Sequence, residues 1–281
     1  MRSSRPTLSR GFTLVEMLVV IVIIGILTAI LVPTVMAAIR RAKIGAMALE
    51  VKDLETALAA YKDANNDYPP DGTNVNAVKA HFRIAYQRIT NHNAYINAWW
   101  SAGGDKLDPA EALVYFLSQT RNDVRDPLGT NGEVRKYFDF QETRLRDDDG
   151  DGFNEYYPPS GDEAPYVYFD GRTMTTATGP TVMYVTAAFP KTNGDPRISQ
   201  LGRIRPFQTN SSKWIEPNKY QLFCAGLDSH FGVDDSTSGL PVPKQFPDPN
   251  YYQQVPTADR KLDEDNITSF SEGQTLGDHF P

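Results

Sequence analysis

Residues Asp147-Asp148-Asp149-Gly150-Asp151-Gly152-Phe153-Asn154-Glu155 carry the densest ligand chemistry in the chain. Aspartates at alternate positions followed by glycine match the first half of a calcium loop. In that register Asp147, Asp149 and Asp151 offer carboxylates, Gly152 makes the tight turn and Phe153 offers its backbone carbonyl. Glu155 falls at the ninth position, where a direct or water-mediated ligand belongs. The twelfth position is Pro158 rather than a bidentate glutamate, so Asp162 or Glu163 must substitute or the site is short. The competing reading is a solvated acidic turn, but carboxylates crowded this closely repel one another unless a cation joins them.

A second chemical signal lies at the N-terminus, in Gly11-Phe12-Thr13-Leu14-Val15-Glu16. These residues open an apolar run from Phe12 to Val32 whose one charge is Glu16, and a basic leader with Arg2, Arg5 and Arg10 precedes it. As a helix the run would be about 31 Å long, enough to cross a bilayer. A lone carboxylate inside a membrane helix costs roughly 2.5–3.5 kcal/mol on insertion scales, so Glu16 asks for a partner. An ordinary anchor explains the apolar run but not Glu16. A secretory signal peptide cut near Val35-Met36-Ala37 fits the basic flank, yet the run is longer than a typical h-region and holds a carboxylate. A lipoprotein needs a cysteine at the cleavage site, and Cys224 is the one cysteine.

Gly11 to Glu16 resembles the processing site of type IV pilin precursors and their pseudopilin relatives. The resemblance implies that a membrane prepilin peptidase cuts after Gly11 and methylates the new N-terminus at Phe12. It also supplies the partner of Glu16: the positive amine of Phe12, on the same or a neighbouring subunit. An unpaired buried charge is costly, so the pair can set register as subunits dock.

Other stretches carry the same likeness. Tyr61 to Pro69 resembles the end of the long helix in the major pseudopilin of type II secretion. Pro165 to Phe169, Tyr220 to Asp228 and Leu262 to Phe270 resemble its sheet strands and tail. That family holds calcium in its C-terminal loop, which here implies a second set: Asp228, Asp234, Asp235, Asp263 and Asp265. Residues 236–260 interrupt the loop, and a flexible acidic tail is the alternative. Many adhesive type IV pilins close this region with a disulfide, which a single cysteine forbids.

The elements that must position these groups follow from periodicity. Pro33 interrupts the apolar helix and would kink it. Beyond it Ile44, Met47, Val51, Leu54, Leu58 and Tyr61 recur at three- and four-residue steps, an amphipathic helix with one buried stripe. Asn65-Asn66-Asp67-Tyr68-Pro69-Pro70 should end it. Asp108-Pro109-Ala110-Glu111 has the capping carboxylate, the first-turn proline and the later glutamate of a helix start, predicting a short helix to about Ser118 that buries Leu113, Phe116 and Leu117. Strand signals dominate from Tyr137, chiefly Tyr166–Phe169, Thr181–Val185 and Tyr220–Phe223. The expected organisation is a cleaved leader 1–11, a transmembrane and assembly half-helix 12–33, an amphipathic half-helix 34–66, and a head 67–281 with insertions at about 73–107 and 236–260. The fold class is α+β and pilin-like: a long N-terminal helix packed on an antiparallel sheet.

The chain has 281 residues, formal charge −7, and twenty each of proline and glycine, which suits one loop-rich head behind an anchor. An acidic head argues against nucleic acid as a partner. The leader arginines favour a cytoplasmic N-terminus, while Arg40, Arg41 and Lys43 pull the other way. The family resemblance decides for the leader in the cytoplasm and the head in the periplasm. No phosphate-cradling glycine loop, nucleophile elbow, Cys-x-x-Cys or His-Glu-x-x-His is present, so no enzyme is expected. His81 and His92 lack carboxylate or cysteine companions at ligand spacing and read as packed or surface residues.

The expected role is structural: a subunit of a type II secretion-like pseudopilus in the inner membrane and periplasm, handled by the prepilin peptidase and an inner-membrane assembly platform, and built into a filament with copies of itself and other pseudopilins. Two alternatives stay open: a type IV pilin for adhesion, motility or DNA uptake, and a membrane-anchored, calcium-dependent binding module. The aromatic-rich stretch at 73–107 is what the second would rest on.

Overall fold

The computed structural model describes residues 12–148, 150–159, 164–174, 184–185, 203–204, 206–209, 213–231, 246 and 264–279. The chain divides into two compact units, Met1–Lys43 and Ile44–Pro281. Helix α1, Leu14–Asn65, runs through Pro33 and belongs to both. In the first unit residues 12–43 are exposed on every face. That is the pattern of a helix whose surroundings are lipid or other apolar helices rather than its own domain. The polar hydroxyls there turn inward: Thr28 donates to the Ile24 carbonyl at 2.7 Å, and Thr34 to that of Leu31 at 2.8 Å. Such back-bonding hides a hydroxyl where no water is available.

In the second unit the stripe predicted from periodicity is buried. Met47, Leu54, Leu58 and Tyr61 are fully enclosed, Val51 and Ala57 nearly so, and Ile44 packs against them. The helix stops where Asn66 takes a positive φ of 60°, a left-handed end that asparagine tolerates.

The stretch read as an insertion at 73–107 is helical and turned inward. Asn74 caps α2, Val75–Ala85, through its side chain, and Asn91 caps α3, His92–Trp99. Phe82 and Ile96 are fully enclosed in the core that holds the α1 stripe. A wide helical turn, Trp100–Gly104, leads to α4, Pro109–Ser118. The start of α4 is the predicted one: Asp108 accepts from Ala110 and Glu111, and Glu111 accepts from the Asp108 backbone. Leu113, Phe116 and Leu117 are buried as expected.

The strands are β1 (Leu145–Arg146), β2 (Glu155–Tyr156), β3 (Val167–Asp170), β4 (Tyr184–Val185), β5 (Arg203–Ile204), β6 (Tyr220–Cys224) and β7 (Ile267–Thr268). The main sheet is antiparallel in the order β3-β6-β7, with Val167 opposite Phe223 and Cys224 opposite Ile267. β1 pairs with β2, and β4 with β5, as separate antiparallel ribbons. Side chains alternate across the main sheet. Tyr166, Tyr168, Leu222 and Cys224 face the α1 core; Val167, Phe169, Phe223 and Ala225 face a second core with Phe207, Phe231 and Leu276. Both faces are therefore largely apolar, with Asp170 of β3 and Gln221 of β6 as buried polar exceptions. The long helix on an antiparallel sheet is the α+β, pilin-like fold expected.

One polar node joins α1 to the smaller ribbon. Glu50 accepts from Arg144 just before β1, from Tyr156 of β2 (2.9 Å) and from Tyr166 before β3 (2.7 Å). It fixes where the β1–β2 loop, residues 147–154, emerges.

Candidate functional site

At the helix start, Gly11 lies outside the described residues and Phe12 is exposed. Glu16 is already engaged within its own chain. Its Oε2 accepts from the Thr13 backbone N–H at 2.8 Å and from the Thr13 hydroxyl at 2.7 Å, while the Glu16 N–H donates to that hydroxyl at 3.2 Å. This is a reciprocal capping box. The sequence supplied the carboxylate but the capping role of Thr13 was missed, although the Thr-x-x-Glu spacing signals it.

The loop 147–155 is a compact turn. Asp147 Oδ1 accepts from Gly150 N–H at 2.8 Å and Asp151 N–H at 3.1 Å, and its Oδ2 accepts from Gly152 N–H at 3.1 Å. Asp151 accepts from Phe153 N–H at 3.0 Å. Gly152 has φ 100°, a conformation that a side chain would strain. Asp149, Asp162 and Glu163 lie outside the described residues. Glu155 is not a loop residue; it opens β2 and is fully buried.

The structure adds two carboxylates to this loop. Helix α4 packs on β2, and the Phe153 ring sits edge-on to Tyr115 of α4 with centroids 5.5 Å apart. The capping pair Asp108 and Glu111 thereby comes within electrostatic reach of Asp151 and Glu155. Burial, then the Asp108 charge, pushes Glu155 up to about 9. Burial and Asp108 push Glu111 up as well, with Asp151 and Glu155 adding to it. Among the described residues no group of three or more His, Cys, Asp or Glu side chains is placed to hold a metal ion.

The C-terminal set is partly assembled. Asp265 Oδ2 accepts from Leu227 N–H at 2.8 Å and Asp228 N–H at 3.1 Å, which joins the two ends of the interrupted loop. Gly226, at φ 71°, is required there because a Cβ would meet the Asp265 carbonyl oxygen at 2.3 Å. Asp265 Oδ1 is buried with no hydrogen-bond partner among the described residues. Asp234, Asp235 and Asp263 lie outside the described residues.

The histidines take packing roles. His81 is fully buried, with Nδ1 3.0 Å from Asp67 and Nε2 2.8 Å from the Tyr61 hydroxyl. Burial holds its pKa below the usual value against the pull of Asp67. The ring is therefore neutral near pH 7: Nδ1–H donates to the carboxylate and Nε2 accepts from Tyr61. His92 bonds to the Tyr86 carbonyl oxygen at 2.9 Å.

Helix α1 is long and apolar enough near the N-terminus to cross a membrane. The prokaryotic N-terminal methylation motif matches residues 7–32, the stretch that holds the Gly11–Phe12 junction, Glu16 and the first apolar turns of α1. The N-terminal segment is type IV pilin-like. Curated relatives agree. The type II secretion system core protein G of Pectobacterium carotovorum subsp. carotovorum is 45% identical over 60 residues, 21% of this chain and 38% of that protein. The proteins of the same name from Pseudomonas aeruginosa and Escherichia coli are 46% identical over 59 residues and 45% over 60, covering 42% and 41% of their lengths. The chain thus spans about two fifths of the curated relatives it matches. No solved structure matches it significantly. The motif and the exposed apolar helix fit single-pass anchoring in the inner membrane.

Proposed function

We propose that the chain is a structural subunit of a type II secretion-like pseudopilus. The observation that carries this is the coincidence of the methylation motif at residues 7–32 with a continuous helix, Leu14–Asn65, whose first part is apolar and exposed all round. Core protein G supplies the type II secretion setting for the reading. In it, the peptidase cuts after Gly11 and methylates Phe12; the inner-membrane platform then adds the subunit to a filament whose core is made of these apolar helices. The head stays on the periplasmic side.

Glu16 has two successive roles on this account. In the free subunit Thr13 satisfies its carboxylate. During assembly the Phe12 amine of a neighbouring subunit replaces or joins Thr13, so only a correctly registered neighbour neutralises it. Catalysis has no part in this. In the C-terminal loop, Asp228 and Asp265 would hold calcium and tie down the end of the chain, a task that one cysteine cannot perform. An Asp265→Asn variant tests this by its lost thermal response to calcium.

A surface pilin shares all of these features except the likeness to core protein G. The anchored binding module loses its main support, because residues 73–107 spend Phe82, Tyr86 and Ile96 on the core. The test of the proposal is chromosomal Gly11→Ala: uncut precursor and lost export are expected, and normal processing with normal export would exclude it.

A further inference from the structure

We infer that Arg40, Arg41 and Lys43 form a collar on α1 that binds the headgroup phosphates of anionic phospholipids in the periplasmic leaflet of the inner membrane, an assignment that rests on the anchored reading of α1.

The height of the collar along the helix points to a lipid surface. Between Glu16 and Arg40 the helix carries no charged side chain, and that stretch rises about 36 Å. The hydrocarbon core of a bilayer is about 30 Å thick, and its headgroup regions bring it to about 40–45 Å. With Glu16 just inside the cytoplasmic headgroups, Arg40 reaches the opposite headgroup layer. Arg41 and Lys43 follow within the same turn.

The collar has no anion of its own. All three residues are exposed, and among the described residues none of their side chains has an acidic partner. No carboxylate stands between Glu16 and Glu50, and Glu50 is held by Arg144. The three cations fan over about 160° of one side of the helix. Arg40 and Lys43, three residues apart, are neighbouring like charges that repel. A solvated basic turn leaves that repulsion in place, whereas gathered phosphates cancel it. Orientation does not account for the collar either, because the usual excess of Lys and Arg lies on the cytoplasmic side.

The residue types select the ligand. Guanidinium forks match phosphate oxygens bidentately, and Lys43 adds a compact charge. A zwitterionic headgroup brings its own cation, which the collar repels, so the preference is for headgroups of net negative charge. The other anion at hand is the acidic head of a second copy. Its densest acidic loop is already engaged: Asp147 accepts from the Gly150, Asp151 and Gly152 N–H groups, and Asp148 from the Tyr157 hydroxyl at 2.8 Å.

The test uses the full chain with Arg2→Gln, Arg5→Gln and Arg10→Gln, so that the leader does not attract the same lipids. This parent is reconstituted in phosphatidylcholine vesicles with traces of spin-labelled phosphatidylglycerol or spin-labelled phosphatidylcholine. Electron spin resonance gives the association of each lipid with the protein, and flotation reports insertion. Phosphatidylglycerol should be preferred at least fivefold, falling toward parity in 0.5 M NaCl. Adding Arg40→Gln, Arg41→Gln and Lys43→Gln should abolish the preference while flotation is unchanged, since glutamine keeps the helix. Arg40→Lys with Arg41→Lys should retain most of it. A parent that floats yet shows no preference, or a preference that survives loss of the collar, would overturn the inference alone. A parent that does not float would overturn the anchored reading with it. No lipid preference, together with cross-linked self-association that is lost with the collar, would give these residues to the acidic head of a second copy instead.

Discussion

Arg144 grips Glu50 across 94 residues of chain, Nη1 donating to Oε2 at 2.8 Å and Nη2 to Oε1. Both side chains are mostly buried, 15% and 13% exposed. The same carboxylate accepts the hydroxyls of Tyr156 and Tyr166. Helix α1, the β1–β2 ribbon and the entry to β3 thus share one buried acceptor. Removing one member strands the others in a mostly buried site, the situation in which a buried pair matters most.

Glu50→Ala is therefore expected to destabilise the head by about 3 kcal/mol. Glu50→Gln should cost less, since an amide oxygen still accepts from the tyrosines. Urea unfolding of the two variants in detergent measures the difference; equal costs would show that the charge and its geometry are unimportant.

The two roles of Glu16 can be separated. Thr13→Val removes the cap and should weaken the helix start by about 1 kcal/mol while leaving the carboxylate for a neighbour. It should still be processed and still assemble. Glu16→Ala should be processed but fail to assemble. Cross-linking of membranes reads both, and equal loss in the two variants would mean that Glu16 matters only as a cap.

His81 makes a pH prediction. Tyr61, Asp67, Arg172 and Tyr86 surround it, and burial lowers its pKa in the fold. Below the ordinary histidine range the unfolded chain binds a proton that the folded one does not. Stability is then complete above about pH 6.5 and falls as the pH drops toward 5, by at most about 1.4 kcal/mol per pH unit from this group. Other acids titrate in the same window, so the quantity to measure is the difference between the parent and His81→Gln. The parent should lose more stability between pH 7 and pH 5; parallel curves would contradict a buried neutral ring.

How much of this was legible depends on range. The α1 stripe from Met47 to Tyr61 and the α4 start at Asp108 and Glu111 are local patterns, and the fold uses both as read. The strands Val167–Asp170 and Tyr220–Cys224 announce themselves by composition. Their faces do not, because both sides of the sheet are buried and no polar alternation marks one of them. Glu111 reads as half of a capping box, which it is; that the Glu155 charge also reaches it follows only from α4 packing on β2. The partner of Glu16 was sought in the Phe12 amine, on the same or a neighbouring subunit, because the membrane context dominates the reading, while a further partner stood three residues away at Thr13.

The central claim is that this chain builds a secretion filament. Its most direct test is the extracellular proteome of the native host with Glu16→Ala at the chromosomal locus. The account predicts that a set of folded exported enzymes disappears from the medium and accumulates in the periplasm. Intact secretion alongside sheared surface fibres that lack this protein would contradict it and make the chain a surface pilin.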